Sequence, residues 1–143
     1  MTLRERFYSK ALNIGDCLIW IASKSCSDKK AKEGKCQYGQ FWYRRKLVLA
    51  HRFSYQLNVG KIKKGMTLDH LCKKTLCVKH EHLEPVSLAE NIMRGNGATA
   101  KNARKTHCIN GHFLSGDNLE TYGIKKGHRK CKKCRQYREL LEA

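Results

Sequence analysis

At 143 residues the chain has room for one or two small domains and only a modest core, the size at which metals or disulfides commonly serve as staples. Lysine and arginine number 30 against 12 acidic residues, a formal net charge of +18, so a neutral surface is excluded and a polyanionic partner is the simplest explanation; the alternative is a merely solvated, charged surface. No apolar run is long enough for a transmembrane helix, and the amino terminus MTLRERFYSK lacks the apolar segment of a signal peptide, so a reducing cytoplasm is expected and the eight cysteines read as metal ligands rather than disulfides.

Taken in chain order, Met1 to Asn13 reads as a short helix or an arm, and Asp16-Cys17-Leu18-Ile19-Trp20 as a buried strand. Residues 24–36 (KSCSDKKAKEGKC) are polar and aperiodic, an exposed loop. Gln37 to Tyr43 and Lys46 to Ala50 form two strands around a basic turn at Arg44-Arg45, where Gln40, Tyr43, Arg44 and Arg45 could line a DNA-facing ribbon or simply a solvated hairpin edge. Ala50, Phe53 and Leu57 recur at helical spacing, with Gly60 as the stop. Within that helix His51 reads as a packing or hydrogen-bonding residue, and Arg52 is equally suited to reaching a phosphate or tethering the helix.

The densest stretch runs from Leu68 to Gly95 and holds Asp69, His70, Cys72, Cys77, His80, His82 and Asn91. Thr67 to Leu71 predicts one strand and His82 to Val86 its partner, since Pro85 pushes Glu84 from helical angles. Ser87 and Glu90 read as a capping box, so a helix should start at Leu88 and carry Asn91 at the edge of its first turn. Cys72, Cys77 and His82 offer three ligands of a metal site whose fourth must come from elsewhere in the chain. Asn91 and Asp69 offer hard oxygens suited to Mg²⁺, and a neutral imidazole such as His70 can accept a proton from water at neutral pH.

Residues 96–105 (NGATAKNARK) read as a basic linker. Beyond it, Cys108, His112, Cys131 and Cys134 form two clips of soft ligands, the spacing of a tetrahedral zinc site in a turn-rich ribbon, followed by a terminal helix from Arg135 to Leu141. Lys101, Arg104, Lys105, Lys132 and Lys133 join Arg44 and Arg45 as candidate nucleic-acid contacts.

The pattern His70-x-Cys72-x4-Cys77-x4-His82-x8-Asn91 resembles the HNH, or His-metal finger, endonucleases, and is similar in spacing to the His-Cys box homing nucleases. Phage-type members share the wording "DHLC…CV…HLE…EN…RG" and an "AHR.sY" helix, so the resemblance covers residues 16–95. It implies that His70 is the general base, that Asn91 with Asp69 holds one Mg²⁺ or other divalent cation, and that Arg52 is a candidate catalytic residue. It also favours His82 over His80 as a ligand and names Cys17, in Cys17-Leu18-Ile19-Trp20, as the fourth ligand, with Cys26 and Cys36 as competitors.

The expected architecture is small α+β: a zinc-braced ββα-metal nuclease core over residues 1–95, a linker over 96–105 and a zinc module over 106–143. The function it implies is metal-dependent hydrolysis of double-stranded DNA by a protein with two structural zincs, of homing type, phage-encoded and acting in the bacterial cytoplasm. A palindromic cutter would want a two-fold dimer. The alternatives are a zinc protein that only binds DNA or RNA, and a restriction or packaging nuclease of the same fold.

Overall fold

The computed structural model describes residues 1–25, 38–120 and 129–141, which form two compact units, Met1–Leu88 and Ala89–Ala143. No helix among the described residues is long and apolar enough to cross a membrane.

The first unit opens with helix α1 (Leu3–Tyr8), started by a capping box: the Thr2 hydroxyl accepts from the Glu5 amide, and the Glu5 carboxylate accepts from the Thr2 amide at 2.8 Å. Strands β1 (Ala11–Ile14) and β2 (Cys17–Trp20) follow as an antiparallel hairpin turning at Gly15, which has a φ of 56°. A short β3 (Lys24–Ser25), then β4 (Tyr38–Tyr43) and β5 (Lys46–Leu49) make a three-stranded antiparallel sheet. Helix α2 (Ala50–Asn58) leaves β5 directly, and β6 (Met66–His70) pairs antiparallel with β7 (Leu83–Ser87), His70 opposite Leu83 and Met66 opposite Ser87.

What holds this unit together is a cluster of aromatic rings. The Phe7 ring lies 5.1 Å from Trp20, 5.1 Å from Phe41 and 5.0 Å from Phe53, and Phe41 lies 4.8 Å from Phe53. Ala11, Ala50 and Val78 close the cluster. Each such ring contributes about 1.5–3 kcal/mol by leaving water, with roughly 0.5–1.5 kcal/mol more per well-placed aromatic pair. Packing is close enough to dictate a glycine: a Cβ on Gly39 would stand 2.5 Å from Trp20 Cδ1 and 3.0 Å from the Ala50 methyl.

The β2 edge does a second job. Trp20 N–H donates to the Leu76 carbonyl at 2.9 Å and Val78 N–H to the Leu18 carbonyl at 2.7 Å, so the chain at Cys77 lies beside β2 as a bridge to Ile19. From α2, the Ser54 hydroxyl donates to the Val78 carbonyl at 2.5 Å and fixes the other side of the same segment.

In the second unit, helix α3 (Leu88–Arg94, its first residue in the first unit) is followed by α4 (Ala98–Arg104), a two-stranded ribbon of β8 (Leu119–Glu120) and β9 (Lys130–Cys131), and α5 (Lys132–Leu141). The stretch expected to be an irregular linker therefore contains a helix. Ala98, Ala100, Ala103, Lys101 and Arg104 are strong helix formers, and the carbonyls left open at the helix end are met from far along the chain. The Arg129 guanidinium donates to the Asn102, Ala103 and Lys105 carbonyls at 3.3, 3.0 and 2.6 Å, and to Leu114 at 2.8 Å. Buried apolar residues in this unit are few among those described, Ala100 and Leu114.

Gly39→Ala tests the packing account. It should lower the stability of the first unit by about 1–3 kcal/mol through overpacking against Trp20, read as a lower thermal midpoint at unchanged metal content.

Candidate metal centres and active site

Two groups of soft ligands assemble, one in each unit. In the first, Cys17 comes from the start of β2, Cys72 and Cys77 from the turn-rich segment after β6, and His82 from the 3-10 turn that leads into β7; their ligand atoms all lie within 4.8 Å of one another. His82 Nδ1 is 3.6 Å from both the Cys17 and Cys77 sulfurs. A tetrahedral ion with bonds of about 2.3 Å to sulfur and about 2.0–2.1 Å to nitrogen sets sulfur–nitrogen edges near 3.6 Å, so the donor set fits such an ion. His80 stands outside this group and faces Glu81 at 3.5 Å. Cys26 and Cys36, the competitors for the fourth place, lie outside the described residues.

The second group is Cys108, His112, Cys131 and Cys134, again within 4.8 Å. His112 Nδ1 is 3.6 Å from Cys108 and Cys131 and 3.2 Å from Cys134. Amides surround the sulfurs: Asn110 Nδ2 donates to Cys134 at 3.2 Å and Asn118 Nδ2 to Cys131 at 3.4 Å. Such donors disperse thiolate charge and orient the ligands. Asn118 also caps α5, its Oδ1 accepting from the Lys133 amide at 2.9 Å.

Cys77 is buried, and burial pushes its thiol up to about 11, so a metal must displace a proton to bind there. No disulfide joins the described cysteines.

Beside the first metal group, β6 delivers Asp69 and His70 to a buried position, 6% exposed each. Burial is the main influence on His70 and lowers its pKa below 6.5; a hydrogen bond to the Cys77 backbone and the Asp69 charge oppose this, and Lys73 reinforces it. The net sign is downward, so the ring is neutral at pH 7. His70 Nε2 has no hydrogen-bond partner, so Nδ1 is the nitrogen that meets the Cys77 backbone. That arrangement leaves Nε2 as a proton acceptor.

Two neighbours of His70 were not placed at the site by the sequence, although His51 was read as a packing or hydrogen-bonding residue. Lys73 places its ammonium 3.2 Å from both Asp69 carboxylate oxygens, and its own backbone is left-handed at φ 56°. The Asp-x3-Lys spacing was visible, but it signals a contact only on a helix, and here a turn supplies it. His51, on the first turn of α2, is 5% exposed and its ring centroid lies 4.9 Å from that of His70. Burial first, then the charges of His70 and Arg52, lower its pKa to about 3. Tyr38 packs on both rings, at 5.2 Å from His51 and 6.2 Å from His70.

The remaining named residues are distributed as follows. Arg52 is half-buried on α2, and Asn91 sits on the first turn of α3. Arg44 and Arg45 are exposed at the tip of the β4–β5 hairpin. Lys101, Lys105, Lys132 and Lys133 are exposed on the second unit, whereas Arg104 donates to the Met93 and Gly95 carbonyls at 2.9 and 2.8 Å and closes the end of α3.

Removing one ligand should be decisive for a group of four. Cys17→Ser is expected to cut bound metal by one equivalent per chain, measured by elemental analysis of purified protein, and to lower the thermal midpoint of the first unit.

No curated protein and no solved structure matches the chain. Residues 48–93, from β5 through the paired strands β6 and β7 into α3, match a family described as HNH endonuclease.

Proposed function

We propose that the protein is a metal-dependent endonuclease that hydrolyses phosphodiester bonds of double-stranded DNA. The observation that carries this reading is the buried, neutral His70, whose Nδ1 is held by the Cys77 backbone and whose Nε2 is free to accept a proton, within a segment of the HNH endonuclease family. The two Cys/His groups are structural zinc sites, since sulfur and imidazole in fours leave no position for water. The chain order of strand, turn, strand and helix over β6, β7 and α3 supports the reading of a ββα-metal core, and β8 and β9 that of a zinc ribbon.

His70 Nε2 takes a proton from the attacking water, and the water oxygen forms the new bond to phosphorus as the bond to the 3′ oxygen breaks. This leaves 5′-phosphate and 3′-hydroxyl ends. By the resemblance, Asp69 and Asn91 would be the hard-oxygen ligands of a divalent cation such as Mg²⁺, which when bound would act as a Lewis acid on the phosphate and the leaving oxygen. Lys73 neutralises the Asp69 carboxylate in its present pairing and would yield that place to the cation. Arg52 contributes positive charge beside His51.

DNA would be gripped through phosphates by the exposed basic residues, Arg44, Arg45, Lys101, Lys105, Lys132 and Lys133, with Arg104 at the end of α3. The hairpin tip supports this reading. A two-residue turn with φ of 46° at Arg44 and 62° at Arg45 ordinarily takes Asn-Gly, and arginine there costs about 1–2 kcal/mol per residue. Strain of that kind persists where a side chain is needed. The resemblance to phage-type and homing enzymes makes a cytoplasmic, site-directed cutter the leading biological role.

The direct test is supercoiled plasmid and phage genomic DNA incubated with Mg²⁺ or with EDTA. Nicked or linear DNA in Mg²⁺ alone is the expected result; binding without cleavage on every DNA would favour a zinc protein that only binds nucleic acid. For the hairpin, Arg44→Asn with Arg45→Gly should raise the thermal midpoint while weakening DNA binding. The slope of log affinity against log salt should shrink by about 1.8 if both arginines meet phosphates.

A further inference from the structure

Among the described residues of the first unit, two buried nitrogens lack a partner, His51 Nδ1 and His70 Nε2, and they belong to adjacent rings. Leaving one buried polar atom unpaired is already costly, and neighbouring orphans point to a shared ligand. The spacing of the rings leaves room for a single bridging water. Two hydrogen bonds of about 2.8–3.0 Å each span up to about 6 Å between nitrogens, and the ring centroids are 4.9 Å apart with planes inclined at 59°. The donor set does not suit another soft metal site, because neither histidine belongs to either group of four. Tyr38 packs against both rings and α2 fixes His51 from the other side, so the pair is rigidly set.

We infer that His51 is a positioning residue for the proposed hydrolysis: its Nδ1 and His70 Nε2 each accept one hydrogen of the same water, turning the oxygen lone pairs toward the phosphate. The inference rests on the nuclease reading and adds a residue to it. When the water attacks, the proton on the His70 side moves to Nε2, the phosphorus–oxygen bond forms and the bond to the 3′ oxygen breaks, the departing 3′ alkoxide taking a proton from solvent, while the second water proton stays on the new phosphate oxygen or passes to solvent. His51 never takes the proton. It restricts the water to one orientation, which is worth rate because disordered water attacks from few of its poses. Enclosure of both nitrogens keeps bulk water from competing for them.

The test uses the full chain with both metal groups loaded. His51→Leu keeps volume and removes the acceptor, whereas His51→Asn returns a polar atom near the Nδ1 position. Single-turnover cleavage in Mg²⁺ reads the chemical step, gel shift in Ca²⁺ reads DNA affinity, and zinc content reads the fold. The inference expects His51→Leu to cleave roughly tenfold to a hundredfold more slowly, with affinity within about threefold of wild type and zinc unchanged, and His51→Asn to recover most of the rate. Equal rates for His51→Leu and wild type would overturn it and leave the nuclease intact. Leu and Asn variants that are equally slow, or that lose zinc or affinity together, would show a packing role and overturn it as well. A wild type that binds but cuts no DNA would overturn the nuclease reading itself, and this inference with it.

Discussion

The first unit depends on bringing Cys17, Cys72, Cys77 and His82 to one point. These ligands come from a strand near the amino terminus, a turn-rich segment tied to the aromatic cluster through Val78, and a 3-10 turn. A structural zinc in a small domain contributes an apparent ~10–16 kcal/mol at neutral pH, against about 3–5 kcal/mol for losing one core phenylalanine. The aromatic cluster around Phe7 therefore shapes the unit, and a metal in the group of four would lock the segment that matches the HNH endonuclease family. A metal in the group of four would matter even more to the second unit, since Ala100 and Leu114 are almost its whole buried apolar content among the described residues.

The group of four and His70, the proposed base, are physically linked. Cys77 gives its sulfur to the group and its backbone to His70, so the residue that would fix an ion also fixes the imidazole tautomer. The same backbone is clamped by β2 through Leu18 and Trp20 and by Ser54 on α2. Burial then lowers the His70 pKa, which keeps the ring neutral and able to accept a proton at the pH of the cell. The structural ion would thus act on the chemistry at a distance of one residue, without touching substrate.

Much of this was legible in the sequence because cysteine and histidine spacing is read directly, and because Pro85, Gly60 and the alternation around Arg44-Arg45 punctuate the strands and the helix between them. What escaped depends on contacts made elsewhere. Strand β1 was hidden inside a stretch that read as helix or arm, although Thr2 and Glu5 carried a capping signal. Helix α4 looked like a linker because its polar composition concealed its alanines, and because Arg129, which closes it, is distant in sequence. His51 sat on the inward face of α2, and periodicity states that a residue faces inward without saying what it meets there. The left-handed turn at Arg44 and Arg45 defies the usual residue preferences, so only coordinates could reveal its strain.

The most direct measurement is single-turnover cleavage of DNA in Mg²⁺ by the wild type and by His70→Ala, with zinc counted in both proteins. The account predicts a wild type that cuts and a variant with undiminished zinc whose rate falls by roughly 10²–10⁴, the contribution of a positioned general base. A variant that keeps its zinc and cuts as fast as the wild type would contradict it.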